Sequence, residues 1–183
     1  MRIIAGAYRG KNLLSPKSGE VRPTADRAKE ALFNILNSKL DNQWENCRFL
    51  DVFAGSGAIG LEAMSRGADM VGFVDINTDN LMQNLRLFPK EKAKFFVYKT
   101  SAENIARATQ KYNLVFLDAP YAKNMSTPVL HQLFEKGWLQ DDALIVVETQ
   151  KDEDLPTPDE FELIDERIYG LAKFRFFAIK QNF

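Results

Sequence analysis

The chain has 183 residues, 45% hydrophobic and 27% charged, with a formal net charge of −1. That describes one globular domain with a sizeable core, holds no apolar run of the roughly 18 residues a membrane helix needs, and does not advertise nucleic-acid binding by total charge. The single cysteine, Cys47, excludes an internal disulfide and a cysteine-based zinc site, and the single histidine, His131, removes most histidine-dependent catalysis and metal chemistry.

Charge is unevenly placed. Residues 1–30 carry seven basic side chains against three acidic ones, whereas residues 151–166 carry one lysine and eight acids. A basic patch can meet phosphates even when the total is near zero, and the acidic stretch is expected to lie away from such a face. Met1-Arg2-Ile3-Ile4-Ala5-Gly6 is too short and too soon interrupted to read as a signal peptide; with a single cysteine and no membrane span, a cytoplasmic protein with no membrane contact is expected, and a monomer.

In chain order, Ile3-Ile4-Ala5 and Lys11-Asn12-Leu13-Leu14 can pair as a hairpin across Tyr8-Arg9-Gly10. Residues 15–23 form a Ser/Pro/Gly loop, which sets an expected boundary between an N-terminal basic appendage (1–23) and the main domain (24–183). A helix is predicted from an N-cap at Thr24, with Ala28, Ala31, Leu32, Ile35 and Leu36 on one apolar face and Arg27, Lys29 and Glu30 off it. Strand and helix then alternate: strand 48–53, helix 58–65, strand 70–74, helix 77–87 stopped by Pro89, strand 93–98, helix 101–109, strand 113–117, helix 127–136, strand 143–148. Strands 161–168 and 172–179, joined at Tyr169-Gly170, must be antiparallel because a tight turn cannot make a parallel connection. Such alternation predicts an α/β fold, a mostly parallel sheet covered by helices on both faces. Phe174, Phe176 and Phe177 read as core, Cys47 as a small apolar residue at a strand start, and His131 as a residue without ligand partners.

Asp51-Val52-Phe53-Ala54-Gly55-Ser56-Gly57-Ala58-Ile59-Gly60 joins the first parallel strand to its helix. Gly55, Gly57 and Gly60 have the G-x-G-x-x-G spacing, which permits a tight turn, close approach to a ligand and helix–strand packing. Asp75 ends the next strand 20 residues after Gly55, where a carboxylate can accept both ribose hydroxyls of a nucleoside. Asp51 is badly placed for a pyrophosphate, which prefers a helix N-terminus free of negative charge, but suits the ammonium group of S-adenosylmethionine. The alternative for Asp51 is a carboxylate that caps loop amides.

Asp118-Ala119-Pro120-Tyr121 ends the strand expected beside the first one, so it faces the reactive end of a bound cofactor. The lone pair of an exocyclic amine is delocalised into its ring. Two acceptors aimed at its N–H bonds, Asp118 and the Ala119 carbonyl, would favour a tetrahedral nitrogen directed at a methyl donor. Pro120 biases Ala119 to extended geometry, and Tyr121 offers a ring on which an extruded base can stack. The alternative is a strand-ending turn with an incidental Asp and Pro.

These residues together resemble the Rossmann-fold amino methyltransferases with a D/N-P-P-Y/F/W signature. The chain more narrowly resembles the RsmD-type 16S rRNA guanine-N2 methyltransferases. The resemblance spans Met1–Gly6 with Tyr8-Arg9-Gly10, Arg22-Pro23-Thr24 with Asp26-Arg27 and Lys29–Leu36, Leu50–Ala63, and Ser65-Arg66-Gly67-Ala68. It implies a Rossmann-like methyltransferase fold: a seven-stranded, mostly parallel sheet with an antiparallel last strand and a small N-terminal hairpin and helix. It implies S-adenosylmethionine as donor, S-adenosylhomocysteine as product, no metal, and a guanine of small-subunit 16S rRNA as acceptor. Asp118, Ala119, Pro120 and Tyr121 would be catalytic. Asp51, Phe53, Ala54, Gly55, Ser56, Gly57, Gly60, Asp75, Ile76, Ser101 and Ala102 would hold the cofactor, and Arg2, Arg9, Lys11, Arg22 and Arg27 would face RNA. Two departures stand out. Position 119 is Ala where the family usually has Pro, which keeps both acceptors but gives up stiffness. Ser101-Ala102 stands where an acid often binds the adenine amino group.

The chemistry of Asp-x-Pro-Tyr does not identify the base, so an adenine-N6 methyltransferase of DNA or RNA remains a rival. An NAD-dependent oxidoreductase using the same glycine turn and a non-catalytic RNA-binding assembly factor are rivals from other classes.

Overall fold

The computed structural model describes residues 1–15, 23–120 and 125–181, with the backbone alone for residues 23–26. After the N-terminal arm (residues 1–15) the chain forms helix α1 (Pro23–Lys39), strand β1 (Arg48–Val52), helix α2 (Ala58–Arg66), strand β2 (Met70–Asp75) and helix α3 (Asp79–Leu85). A 3₁₀ turn (Pro89–Lys94) leads to β3 (Phe95–Lys99), and a second (Ala102–Asn104) precedes β4 (Tyr112–Asp118). Helix α4 (Ser126–Glu135) and strands β5 (Leu139–Gln150), β6 (Phe161–Tyr169) and β7 (Ala172–Ile179) complete the fold.

The seven strands lie in the order β3-β2-β1-β4-β5-β7-β6. β1 pairs in parallel with β2 and β4, β2 with β3, and β4 with β5, while β7 runs antiparallel to both β5 and β6. The expected antiparallel last strand is therefore present, inserted between β5 and β6. Strand residues alternate between two faces. Phe49, Phe73, Phe116, Val146 and Phe176 pack one face against Leu32, Phe33 and Leu36 of α1 and Leu61 and Met64 of α2. Leu50, Val52, Val115, Leu117, Ile145 and Val147 pack the other against Val129, Leu130 and Leu133 of α4 and against Trp138. Phe174, Phe176 and Phe177 are core as expected, and Cys47 is buried with its thiol pushed up to about 12 by desolvation.

Several local expectations change. Helix α1 starts at Pro23, the position where a missing N–H costs nothing, so Thr24 lies in its first turn and is not its N-cap. The expected helix 101–109 is only the 3₁₀ turn, because tertiary hydrogen bonds take the backbone groups a helix would use. Trp138 Nε1 donates to the Ala106 carbonyl at 2.9 Å and the Ala108 amide to the Lys136 carbonyl at 2.9 Å. The helix expected over 77–87 is confined to Asp79–Leu85, and Pro89 opens the following 3₁₀ turn, which also takes Ala93 out of β3. The N-terminal hairpin narrows to one bridge, Arg2 with Asn12, flanked by the Ile3 and Leu13 amides donating to the Lys11 and Met1 carbonyls.

That arm is fastened to α2. The Ile4 and Ala5 amides donate to the two carboxylate oxygens of fully buried Glu62 at 2.8 and 3.0 Å. Lys29, expected off the apolar face of α1, is 6% exposed, with its ammonium 3.7 Å from Glu62 and donating to the Arg2 carbonyl at 2.8 Å. Gly6 has φ +83°, and a Cβ there would run into the Ser65 carbonyl, so the arm crosses α2 where only glycine fits. Ile3 and Leu13 join the same apolar cluster as α1 and α2.

Candidate active site

The chain leaves β1 through Phe53, which has φ +63°, and turns at Gly55 and Gly57, with φ +54° and +76°. The Phe53 and Ala54 amides donate to the Val74 carbonyl, and α2 begins at Ala58. A Cβ on Gly60 would collide with Phe73, so this third glycine is a packing position. Asp75 fixes the turn from β2. Its Oδ2 accepts the Gly55 amide at 2.8 Å and its Oδ1 the Asn77 amide at 2.9 Å. Each oxygen keeps a lone pair for a ligand hydroxyl.

Asp51 is 2% exposed, and its Oδ2 accepts the Gly60 amide at 2.9 Å. The capping alternative thus describes much of its role: it bolts the start of α2 to β1. Burial raises its carboxyl well above the usual range against the pull of the Gly60 amide, and the charges of Asp118 and Asp75 add to the rise.

A cleft of about 470 Å³ opens at the carboxyl ends of the strands. Of the expected site residues it is lined by Phe53, Asp75, Ile76, Ser101, Ala102, Asp118, Ala119 and Pro120. Ser56 instead turns its hydroxyl to Met1 Sδ at 3.8 Å, away from any ligand role of its side chain in this structure. Tyr121 and Arg22 lie outside the described residues. Arg2, Arg9 and Arg27 converge with Glu30 on a second cleft of about 420 Å³, while Lys11 stands apart, 5.1 Å above the Phe88 ring.

Sequence reasoning missed Val74, Thr100, Glu103 and Met125, which also line the main cleft. Glu103 was hidden inside the expected helix. Glu148 was missed as well: it is the in-register partner of Asp118 on the neighbouring parallel strand. The signal was available, since β1, β2, β4 and β5 each carry an acid at or near the carboxyl end. Part of the acidic stretch lies near the main cleft, where the Glu153 charge reaches Asp118. Buried Arg175 fixes that segment, donating to Thr149 Oγ1 and the Glu153 carbonyl at 2.7 Å each and to Glu166 Oε2 at 3.0 Å. The Asp118 carboxyl is pushed up to about 6 by burial and then by Glu153, and that of Glu148 to about 8 by burial and then by Asp118.

The main cleft is acidic. Asp75, Glu103 and Asp118 line it, and no lysine or arginine does so among the described residues. A pyrophosphate would be repelled there, whereas a cationic ligand would be held. His131 is not part of it: its Nδ1 lies 2.8 Å from Glu160 Oε1 on the protein surface.

Strand order, the glycine turn and an acidic cleft beside the end of β4 define a Rossmann-like methyltransferase fold. A solved Escherichia coli structure superposes with a TM-score of 0.81 at 31% identity, over 100% of this chain and 99% of that one. The chain belongs to the family described as Conserved hypothetical protein 95, the RsmD family, whose model matches residues 1–178. It is 37% identical to the Ribosomal RNA small subunit methyltransferase D of Haemophilus influenzae, over 97% of this chain and 93% of that protein. Its identity to the protein of the same name from Escherichia coli strain K12 is 35%, over 97% and 89%. No helix among the described residues is long and apolar enough to cross a membrane.

Proposed function

We propose that this chain transfers a methyl group from S-adenosylmethionine to the exocyclic N2 amino group of a guanine in 16S rRNA. The observation that carries the reading is Asp118, half-buried at the end of β4, in a cleft that also contains Asp75 and that no cation lines among the described residues. The relatives' name, Ribosomal RNA small subunit methyltransferase D, supports the acceptor class. S-adenosylmethionine supplies an activated methyl group on a cationic sulfur. Asp75 accepts the ribose hydroxyls, Phe53, Ala54 and Gly55 bring backbone close to the cofactor, and Ile76, Ser101, Ala102 and Glu103 flank its adenine. Asp118 and the Ala119 carbonyl accept the two N–H bonds of the target amine and so direct its lone pair to the methyl carbon. As the N–C bond forms, the methyl–sulfur bond would break with its electron pair left on the now neutral sulfur of S-adenosylhomocysteine, and one N–H proton passes to the Asp118 carboxylate. Positioning of the two reactants provides most of the rate. Transfer of labelled methyl to small-subunit particles lacking the modification, followed by mapping of the modified base, tests this. Methylation of DNA adenine alone would sink it.

Two predictions follow the same residues. Replacing Asp75 by Ala removes a charged acceptor for two hydroxyls and unpins the Gly55 and Asn77 amides. Charge-assisted hydrogen bonds contribute about 1.5–3 kcal/mol each, so the cofactor Kd should rise by about 10²-fold, measured by calorimetry with S-adenosylhomocysteine. A change below about threefold would contradict the ribose assignment.

The second concerns pH. Asp118 must be ionised to accept, so methyl transfer should fall as pH drops through about 6. Stability should move the other way. Asp118 and Glu148 bind protons in the folded chain up to about 6 and 8, above the unfolded values of 3.8 and 4.5. The fold then holds more protons than the unfolded chain, and their contribution to stability rises as pH falls from 8 toward 4. Parallel activity and urea-denaturation profiles read both signs. An acid limb of activity near 4 would place an unperturbed carboxylate in the role.

A further inference from the structure

Both ends of the N-terminal arm meet the glycine turn at one residue, Ser56. From Met1 the contact is direct, Sδ against Ser56 Oγ. From Leu14 it runs through Asn84 of α3, which is fully buried. Asn84 Oδ1 accepts the Leu14 amide at 2.8 Å, and Nδ2 donates to the Leu14 carbonyl at 3.1 Å and to the Ser56 carbonyl at 2.9 Å. One planar amide thus grips the arm by two bonds and the turn by a third.

The Ser56 carbonyl belongs to the peptide between Ser56 and Gly57, and the residues on either side of Ser56, Gly55 and Gly57, both have positive φ. Gly57 puts no Cβ on one side of that peptide, so its plane is less restricted than one between two Cβ-bearing residues, and the hydrogen bonds it makes decide its orientation. The Gly57 amide donates to the Ala54 carbonyl within the turn, and Asn84 supplies the only tertiary hydrogen bond to the Ser56 carbonyl among the described residues. The arm, for its part, carries Arg2 and Arg9 on the second, basic cleft. A hydrogen-bonded amide in the core cannot follow a displaced Leu14 without pulling on Ser56, because each of its buried groups is costly to leave unpaired.

We propose that Asn84 is a positioning residue that couples the two sites: it lets acceptor nucleic acid on the N-terminal arm order the glycine turn for the cofactor. This rests on the reading of the arm as the acceptor-facing element and of the turn as the cofactor seat. Ordering by one ligand lowers the entropy that the second must give up, so each tightens the other, and by linkage the factor is the same in both directions.

The test is the affinity of the full chain for S-adenosylhomocysteine, alone and with unmodified small-subunit particles. The wild type should bind it about tenfold more tightly when the particles are present, within the usual range of such couplings. Asn84→Ala should bring that factor below about twofold. Asn84→Asp keeps the acceptor for the Leu14 amide and loses both donated bonds, so it serves where the alanine variant fails to fold and should lose the coupling too. A merely structural Asn84 would lower the melting temperature and leave the ratio at its wild-type value, which would overturn the proposal. Hydrogen exchange on the wild type needs no variant: particles alone should slow exchange of the Gly57 amide, and an unchanged rate would count against the coupling. Binding of both partners without mutual tightening would overturn the coupling alone. Absence of binding by either partner would remove the reading of the cleft, and the coupling with it.

Discussion

Asp118→Ala should lower the rate constant for methyl transfer by about 10²–10³-fold while the affinity for S-adenosylhomocysteine changes by less than about tenfold. The magnitude follows from what one preorganised partner in a water-poor site contributes, about 2.7–4 kcal/mol of barrier. The split between rate and binding follows from position. Asp118 ends β4, one residue past the Leu117–Val52 pair on the β1 side and in register with Glu148 on the other, and it lines the main cleft. Asp75, one strand beyond β1, is the carboxylate held against the glycine turn. Asn at 118 retains one acceptor oxygen and should keep more activity than Ala. Single-turnover transfer to unmodified particles separates chemistry from product release. Undiminished transfer by Asp118→Ala would remove the carboxylate from the mechanism. Uniform loss of cofactor binding and rate would recast it as a binding residue.

Glu62→Ala should destabilise the fold by about 3–5 kcal/mol, because removing one member of a buried charged cluster leaves the others desolvated. Glu62 is fully buried and receives the Ile4 and Ala5 amides, the Arg66 guanidinium at 2.9 Å and the nearby Lys29 ammonium. For a chain of this length the loss corresponds to a melting temperature lower by roughly 10–15 °C. Glu62→Gln keeps one acceptor and should fall between. Limited proteolysis should cut within residues 1–15 of the alanine variant before the sheet unfolds, since the arm depends on α2 for its backbone partners. A melting temperature within about 2 °C of wild type would show that the arm is held by its apolar contacts, Ile3 and Leu13, and not by this carboxylate.

The sheet was legible because its signals are local. Strands Met70–Asp75 and Ala172–Ile179 announce themselves by apolar runs bounded by turn residues, and Gly170 dictates the antiparallel return. The glycine turn was legible for the same reason: three glycines and an acid 20 residues on require no knowledge of the rest of the chain. Asp118-Ala119-Pro120 reached the cleft because a parallel β4 beside β1 has only one end at which to present it.

What the sequence alone determined, then, is the succession of strands and helices, the turn, and the carboxylates at the strand ends. Tertiary structure decided which of those carboxylates line the open cleft and which are buried against protein amides. On paper Asp51 and Asp75 are both carboxylates at the carboxyl end of a hydrophobic strand, Asp51 one residue before the end of β1 and Asp75 at the end of β2. Packing of α2 closes over Asp51 and gives it the Gly60 amide, while Asp75 stays at the open cleft. Glu62, Asn84 and Lys29 find partners 27 to 70 residues away, across α1, α2, α3 and the arm. Period and propensity act over a few residues, whereas a buried polar group is satisfied by whichever backbone the folded chain brings within 3 Å of it.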